Sequence, residues 1–207
     1  MYARTTTLRA DPQSMEQGIA HVRDEVQPAV QAMDGCVGVS MLVDRSSGMC
    51  IITTAWETEE AMAASRERVH DMRARAAEML GGGSPEVREW EVAVLHRAHH
   101  VPEGACARVT WSRTDPQKAE QVLDAYRMAL MPKLEDMPGF CSNSLLMDRR
   151  EGRGAGAVIF DSREALERTR DQARQMREEF ARQMGVEILD VAEFEVALAH
   201  LRVPETV

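Results

Sequence analysis

The sequence predicts an α+β fold: two ferredoxin-like βαββαβ units in one chain, forming an intrachain dimeric α+β barrel. Two observations predict it. The chain repeats itself under a shift of 104 residues, which places Ala3 on Ala107. Within each copy, hydrophobic spacing gives the order strand, helix, strand, strand, helix, strand. In this split βαβ order both helices lie on one face of the sheet, so two copies can cover each other's open face.

The repeat runs without a gap through most of the chain. Asp11-Pro12-Gln13 falls on Asp115-Pro116-Gln117 near the start of each copy, and Glu89-Trp90-Glu91-Val92-Ala93 falls on Glu193-Phe194-Glu195-Val196-Ala197 near the end. Self-similarity of this length indicates a duplication. We therefore divide the chain into a first unit at 1–97, a linker at 98–106 and a second unit at 107–207.

Each unit opens with a strand and an amphipathic helix. The strands are the Thr- and Val-rich runs 4–9 and 108–113, each closed by an Asp-Pro pair that is typical of a helix start. Apolar residues then recur at steps of three and four from Met15 to Met33, and again from Val122 to Met137. Pro28 and Pro132 fall late in these helices, where each should kink or divide its helix.

A hairpin, a second helix and a last strand complete the unit. In the first copy, apolar runs 35–43 and 50–56 flank a polar turn, which is a hairpin pattern. Thr58 and Ser162 are the expected N-caps of the second helices. The alternating runs 89–95 and 193–199 predict the final strands.

Composition narrows the class of function. The chain is 44% hydrophobic and 29% charged, with a net charge of −9. Such a negative charge is repelled by phosphate backbones, so we expect no nucleic-acid partner. No apolar run approaches the roughly 20 residues of a membrane span, and Met1–Thr7 lacks a secretory apolar region. We expect a cytoplasmic protein without membrane association, either a monomer that is a pseudo-dimer or a homodimer of it.

The four cysteines show neither metal-ligand spacing nor a disulfide framework. They are Cys36, Cys50, Cys106 and Cys141. Without a secretory signal we expect four reduced thiols, mostly buried as small apolar side chains.

Several short motifs resemble the antibiotic biosynthesis monooxygenase family of dimeric α+β barrels. They are Met137-Pro138-Gly139-Phe140 before a strand, the polar Asp-Arg-x-x-Gly turns at 44–48 and 148–152, and Trp56-Glu57-Thr58-Glu59-Glu60-Ala61 at the second helix. The first unit departs from the pattern, with Asp34-Gly35-Cys36 in place of Pro-Gly-Phe. Family members are mostly homodimers of single units, so this chain resembles a fused dimer.

The resemblance implies a pocket between each sheet and its helices. Some members oxidise aromatic polyketides there without a cofactor, others degrade haem, and many have no known reaction. The haem-degrading pattern fits poorly. The only asparagine is Asn143, in the second strand of unit two, Ser65 and Thr169 stand where tryptophan is expected, and His70 lies about one turn too early. In unit two, Arg174 stands at the position that matches His70.

Few polar residues on inward strand positions are candidates for binding a small hydrophobic or aromatic molecule. Trp90, Val92, Val94 and His96 alternate onto one face of the last strand, which makes His96, and His200 in the second copy, a candidate base or donor. The alternative is a histidine at the rim. Arg9 and Arg113 are candidates for binding a phenolate or carboxylate, or else pair with surface acids. The full set of candidate pocket residues is His96, His200, Thr7, Arg9, Trp56, Trp111 and Arg113.

Three functions remain open: cofactor-free oxidation of an aromatic or polyketide-type compound, a non-catalytic ligand-binding or stress-associated barrel, and haem binding or degradation. We expect neither cofactor nor metal, and the catalytic residues cannot be named. Trp111 stands where the first copy has Thr7, so if both side chains point toward the helices, we expect unit two to be the more filled and unit one the roomier. The ligand should then bind in unit one near Thr7, Trp56 and His96, unless Trp111 is itself a stacking platform.

Overall fold

The computed structural model describes residues 1–201; residues 202–207, the end of the predicted second unit, lie outside the described residues. Each unit contains four strands and four short α-helices. The strands are β1 Tyr2–Arg9, β2 Cys36–Asp44, β3 Met49–Trp56, β4 Glu86–Arg97, β5 Cys106–Arg113, β6 Phe140–Asp148, β7 Arg153–Phe160 and β8 Glu187–Leu201. The helices are α1 Met15–His21, α2 Gln27–Gln31, α3 Glu59–Ala64, α4 Arg66–Met79, α5 Ala119–Ala125, α6 Met131–Glu135, α7 Arg163–Arg168 and α8 Arg170–Met184.

Antiparallel pairing links the strands as the duplication predicts. In the first unit β3 pairs with both β1 and β2, and in the second β7 pairs with both β5 and β6. Hydrogen bonds join all eight strands in the order β1-β3-β2-β8-β5-β7-β6-β4, which closes as a barrel. The predicted βαββαβ order and α+β barrel are therefore confirmed.

Two strands are divided between the compact units of the structure. Among the described residues, unit one contains Met1–Trp90 and 196–201, and unit two contains Glu91–Glu195. The second half of β4 thus belongs to unit two and the end of β8 to unit one. The boundaries taken from the repeat, 1–97 and 107–207, stay a prediction about the segment that was duplicated.

The first helix of each unit is divided in the region of its proline, as the sequence predicted. A π-helical turn, Val22–Val26 in unit one and Tyr126–Leu130 in unit two, separates the first α-helix from the next. Pro28 and Pro132 then lie in the first turn of α2 and α6, where a missing N–H is tolerated. π-helical turns often mark functional positions, and Tyr126 begins the second one.

The capping residues of the second helices are those that the sequence indicated. Thr58 Oγ1 accepts a hydrogen bond from the Ala61 amide at 3.1 Å, and Ser162 Oγ accepts one from the Ala165 amide at 3.2 Å. Each bond satisfies an amide that has no partner within the helix. No helix within residues 1–201 is both long and apolar enough to cross a membrane.

The predicted face of β4 is interrupted by a β-bulge. Its register with β6 shifts between Val92 and Val94, so Ala93 is the extra residue. A bulge reverses the alternation of side chains beyond it. Trp90 and His96 therefore do not share one continuous face, and this part of the prediction was wrong.

Candidate functional site

A cavity of about 120 Å³ lies within unit two, between its sheet and its helices. The strand residues that line it include alternate positions of β5, namely Arg108, Thr110 and Ser112. The helices contribute mainly apolar side chains. These include Val122, Tyr126, Leu130, Leu134, Ala173, Met176 and Phe180. A largely apolar space with a few polar groups is typical of small-molecule sites.

Two glycines of β7 open this cavity. Gly154 and Gly156 both line it, and neither has a side chain to fill the space beside the sheet. A Cβ at Gly156 would lie 3.8 Å from Leu145 Cδ1 and 3.9 Å from the Tyr126 hydroxyl oxygen, which is ordinary contact distance. The glycine is therefore not required by a close approach of the backbone. Its effect is to leave space empty.

Unit one has side chains at the matching positions and packs them into a core. Cys50 and Ile52 stand where unit two has Gly154 and Gly156, and both are buried. Leu8 replaces Ser112 and is also buried. These three residues belong to one continuous apolar cluster of unit one, together with Met15, Val22, Val30, Met41 and Leu80.

The expectation that unit two is the more filled half was wrong. It rested on Trp111, whose neighbours Thr110 and Ser112 face the cavity. Because side chains alternate along a strand, Trp111 lies on the opposite face of β5. There its ring packs edge-on against Phe194, with centroids 6.3 Å apart. The bulk of the tryptophan thus does not enter the cavity.

A buried polar pair stands beside the cavity. The Tyr126 hydroxyl donates a 2.8 Å hydrogen bond to Asn143 Oδ1. Burial raises the pKa of the Tyr126 phenol, although the Asn143 bond opposes the shift, so the hydroxyl stays protonated. Asn143 Nδ2 has no hydrogen-bond partner among the described residues. Unit one has the apolar side chains Val22 and Val39 at these two positions.

A buried arginine forms one wall of the cavity. Arg108 Nη2 donates to the Leu166 carbonyl oxygen at 2.6 Å and to Glu193 Oε1 at 3.1 Å, and Nη1 donates to Thr169 Oγ1 at 3.4 Å. Its guanidinium carbon lies 5.5 Å from the centre of the Phe160 ring, within cation–π range. These bonds hold the charged group in place.

Unit one contains the same arginine arrangement. Arg4 Nη2 donates to the Met62 carbonyl oxygen at 2.7 Å and to Glu89 Oε1 at 2.8 Å, and its Nη1 donates to Ser65 Oγ at 3.0 Å. Glu91, two residues beyond Glu89 on β4, pairs with a different arginine, Arg149, at 2.6 Å.

A second arginine lines the cavity without an ion-pair partner. Arg177 of α8 is half-buried, and within the described chain it makes neither a hydrogen bond nor a salt bridge. Burial lowers the pKa of its guanidinium, the nearby charge of Arg108 lowers it further, and Glu178 partly offsets both. Two guanidinium groups therefore border the same apolar space.

Four of the predicted site residues lie on the first strands of the units. Thr7 is half-buried in β1, and Arg9 is exposed with its Nη1 on the Ser47 carbonyl oxygen at 3.2 Å. Trp111 is half-buried and Arg113 is exposed at the end of β5. Neither Trp111 nor Arg113 lines the unit-two cavity. A role in ligand binding for any of the four stays a prediction.

The other three predicted residues are dispersed. Trp56 is fully buried in the unit-one core, where Nε1 donates to Thr54 Oγ1 at 3.1 Å. His96 stacks on Phe140 with ring centroids 6.1 Å apart, and its Nε2 lies 3.4 Å from Glu135 Oε2. His200 is half-buried in β8, within unit one. The structure does not bring the two histidines into the unit-two cavity.

The residues present do not fit a haem site. Ser65 and Thr169 accept hydrogen bonds from the buried arginines, and Asn143 accepts one from Tyr126. His70 is exposed. None of the described residues that line the cavity is a histidine. Across residues 1–201, no three His, Cys, Asp or Glu side chains are grouped so that they could hold a metal ion.

Sequence reasoning missed the residues that make the cavity. The signal was present in the repeat, because glycine inside a strand marks a missing side chain or a close approach. Aligning the copies places Gly154 and Gly156 against Cys50 and Ile52. Arg177 gave no comparable signal, since Arg73 stands at the same place in unit one.

Comparisons with known proteins agree with this architecture. Residues 1–77 match the family model described as antibiotic biosynthesis monooxygenase. The uncharacterized protein Rv2557 of Mycobacterium tuberculosis H37Rv is 53% identical over 207 residues, which is 100% of this chain and 92% of that protein.

Two solved structures share the fold at low sequence identity. A candidate monooxygenase from Lactobacillus acidophilus NCFM superimposes with a TM-score of 0.71 at 9% identity, covering 97% of this chain and 96% of its own. An anthrone oxidase-like protein superimposes with a TM-score of 0.67 at 17% identity, covering 99% and 94%. From the family model, the full-length relative and the doubled unit together, the chain belongs to the antibiotic biosynthesis monooxygenase family, as a tandem duplication of its α+β unit.

Proposed function

We propose that the protein binds one small, largely apolar organic molecule per chain, in the cavity of unit two. One observation carries this proposal: the space that unit one fills with Leu8, Cys50 and Ile52 is open in unit two. Protein interiors are normally close-packed, and an unfilled space forfeits contacts and stability. A cavity of this kind is therefore better explained by an occupant than by packing.

The size and lining of the cavity suit a ring-sized molecule. A cavity of about 150 Å³ lined by aliphatic side chains is known to take benzene, and the unit-two cavity measures about 120 Å³. Met176 and Phe180 offer a polarisable and an aromatic contact. An aromatic compound matches these walls best.

A second candidate is oxidation of an electron-rich aromatic, as in the monooxygenases for which the family is named. It is favoured by the Tyr126–Asn143 pair, which places polar atoms beside the cavity only in unit two. In such a reaction on an anthrone-type substrate, O2 converts a ring CH2 to a carbonyl and one oxygen leaves as water. The described lining residues include no carboxylate or histidine to remove the first proton, so binding has the stronger support.

The other expectations follow from composition rather than from the site. Four free thiols among the described residues agree with a reducing compartment, so we propose a cytoplasmic location. The net charge of −9 supports the proposal that nucleic acid is not a partner.

Calorimetric titration of the protein with 2-naphthol tests the binding proposal. We expect one site per chain in the wild-type protein. Gly156→Ile introduces into the cavity the side chain that unit one has at the matching position, Ile52. This variant should no longer bind 2-naphthol. The matched control is Ala157→Thr, the unit-one residue at the neighbouring position, which does not line the cavity. Binding that survives Gly156→Ile, or a stoichiometry of two, would contradict the proposal.

Oxidation needs a separate measurement. An oxygen electrode with 1,8-dihydroxyanthrone should show one O2 consumed per quinone formed if the second candidate holds. Gly156→Ile should abolish the reaction by excluding the substrate. Oxygen uptake equal to that of the buffer would leave ligand binding as the function.

A further inference from the structure

We propose that the cavity of unit two selects an organic anion, and that Arg177 binds its anionic group. The proposal rests on the function proposed above and names the class of ligand. A carboxylate on an apolar ring is the chemistry that fits best, since guanidinium groups bind carboxylates through paired, charge-assisted hydrogen bonds.

The two arginines of the cavity differ in their partners. Arg108 already donates to Glu193, Thr169 and the Leu166 carbonyl oxygen. Those bonds satisfy most of its donors. Arg177 has no hydrogen bond or salt bridge to the part of the chain that the structure describes.

The carboxylate beside the cavity already serves two arginines. Arg170 also contacts Glu193, with Nη2 2.6 Å from Oε2, so the single carboxylate is shared between Arg108 and Arg170. Arg177 lines the same cavity as Arg108, and no salt bridge joins it to a carboxylate within the described residues. A half-buried cation beside an apolar space is stabilised by an opposite charge more than a cation in water is. A bound anion would supply that charge.

Unit one has the same second arginine. Arg73 occupies the position of Arg177, and its Nε is buried without a hydrogen-bond partner among the described residues. Burial lowers the pKa of Arg73, the charge of Arg4 adds to this, and Glu89 opposes it. The second arginine is thus common to both units, and Arg177 is the one that lines the cavity of unit two. Arg73 therefore serves as the matched control position.

The arginines that the sequence suggested for binding an anion are less well placed than Arg177 of unit two. Arg9 and Arg113, the earlier candidates for a phenolate or carboxylate, are exposed at strand ends. An exposed guanidinium binds an anion weakly because water competes for both groups. Arg177 is better placed because apolar side chains surround its ligand.

The experiment compares two probes of equal shape, 2-naphthoate and its neutral amide, 2-naphthamide, by calorimetry at pH 7. The wild-type protein should bind naphthoate at least tenfold more tightly than naphthamide. Arg177→Gln should reduce the affinity for naphthoate to that for the amide and leave the amide within about twofold. Arg73→Gln should leave both affinities unchanged. Should the glutamine variant fail to fold, Arg177→Met keeps an unbranched apolar stem and removes the charge.

The possible failures are distinct. If wild type binds the two probes equally, and Gly156→Ile removes both, the cavity binds ligands but the anion proposal is overturned. An Arg177→Gln variant that weakens both probes equally overturns it too, because the arginine then supports packing only. If neither probe binds wild type, the proposed function fails and this proposal with it.

Discussion

The two units place different side chains on one backbone plan. In unit one the space between sheet and helices contains Leu8, Cys50 and Ile52, all buried in one apolar cluster. In unit two the matching residues are Ser112, Gly154 and Gly156, and a cavity of about 120 Å³ takes their place. The comparison shows that one helix-on-sheet plan accommodates either a packed core or a cavity, and that these three positions differ between the two.

The polar residues follow the same division. The buried arginine and its partner glutamate occur in both units, as Arg4 with Glu89 and Arg108 with Glu193. The Tyr126–Asn143 pair occurs only beside the cavity. The arginine–glutamate pair is thus common to both units, whereas the tyrosine–asparagine pair accompanies the cavity.

The largest effect on stability should come from exchanging the residues at positions 52 and 156, isoleucine in the packed unit and glycine beside the cavity. Ile52→Gly creates a cavity in the packed unit and should lower the free energy of unfolding by about 3–5 kcal/mol, from lost burial and from glycine in a strand. Gly156→Ile fills an existing space and should be neutral or stabilising. Denaturant unfolding measures both, with Thr53→Ala and Ala157→Thr as neighbouring controls. Equal destabilisation by the two exchanges would show that the unit-two space is too small for the added side chain.

Thiol reactivity should distinguish the packed interior of unit one from the cavity of unit two. Burial raises the pKa of the Cys50 thiol from 9.0 to about 11. Two pKa units reduce the reactive thiolate about 100-fold at neutral pH. A cysteine introduced as Gly156→Cys lines the cavity and should react faster with a small thiol reagent, as read by mass spectrometry at each site.

The same experiment tests the redox state. After denaturation without reductant, all four native thiols should react. Fewer than four would reveal a disulfide, and a fast native reaction at Cys50 would contradict a packed unit-one interior.

The buried polar pair should give a smaller effect with a diagnostic sign. Tyr126→Phe leaves Asn143 Oδ1 without its donor and should cost about 1–2 kcal/mol of stability. Tyr126→Phe combined with Asn143→Val, the residue type that unit one has there, removes both partners and should restore most of that loss. A double variant less stable than either single one would mean that the pair does not act through its hydrogen bond.

Acid should produce the smallest effect, because the groups concerned are partly exposed. Desolvation raises the pKa of the Glu193 and Glu89 carboxyls, but hydrogen bonds and charges from their arginines outweigh it and hold both below the usual 4.5. A depressed folded-state pKa gives stability that is present above pH 4.5 and is lost as pH falls through the folded-state value. Glu193→Gln and Glu89→Gln should each flatten the acid limb of the stability–pH curve. An unchanged limb in both would contradict these ion pairs.

The fold could be predicted from the sequence because its determinants are local and each of them occurs in both copies of the repeat. Thr58 and Ser162 cap their helices as expected, and Pro28 and Pro132 lie where the first helix is divided. Each signal recurs at a fixed distance, so coincidence is excluded. Strand pairing then follows from the βαββαβ order.

The site did not follow, for two physical reasons. Alternation along a strand gives two faces but does not say which face meets the helices. Placing Trp111 on the face that meets the helices led to the wrong prediction that unit two is filled and unit one is open. The bulge at Ala93 also broke the face on which His96 was placed. A bulge depends on pairing between distant strands, so periodicity within one strand cannot reveal it.

The duplication of the unit within one chain has a genetic consequence. In a homodimer of single units, one codon specifies both copies, so an opening on one side opens the other as well. Here residues 52 and 156 are encoded by separate codons, so one copy can keep its isoleucine while the other has glycine. Loss of packing is thus confined to half of the molecule, and the other half can compensate for it. Fusion allows a protein to specialise one copy without weakening both.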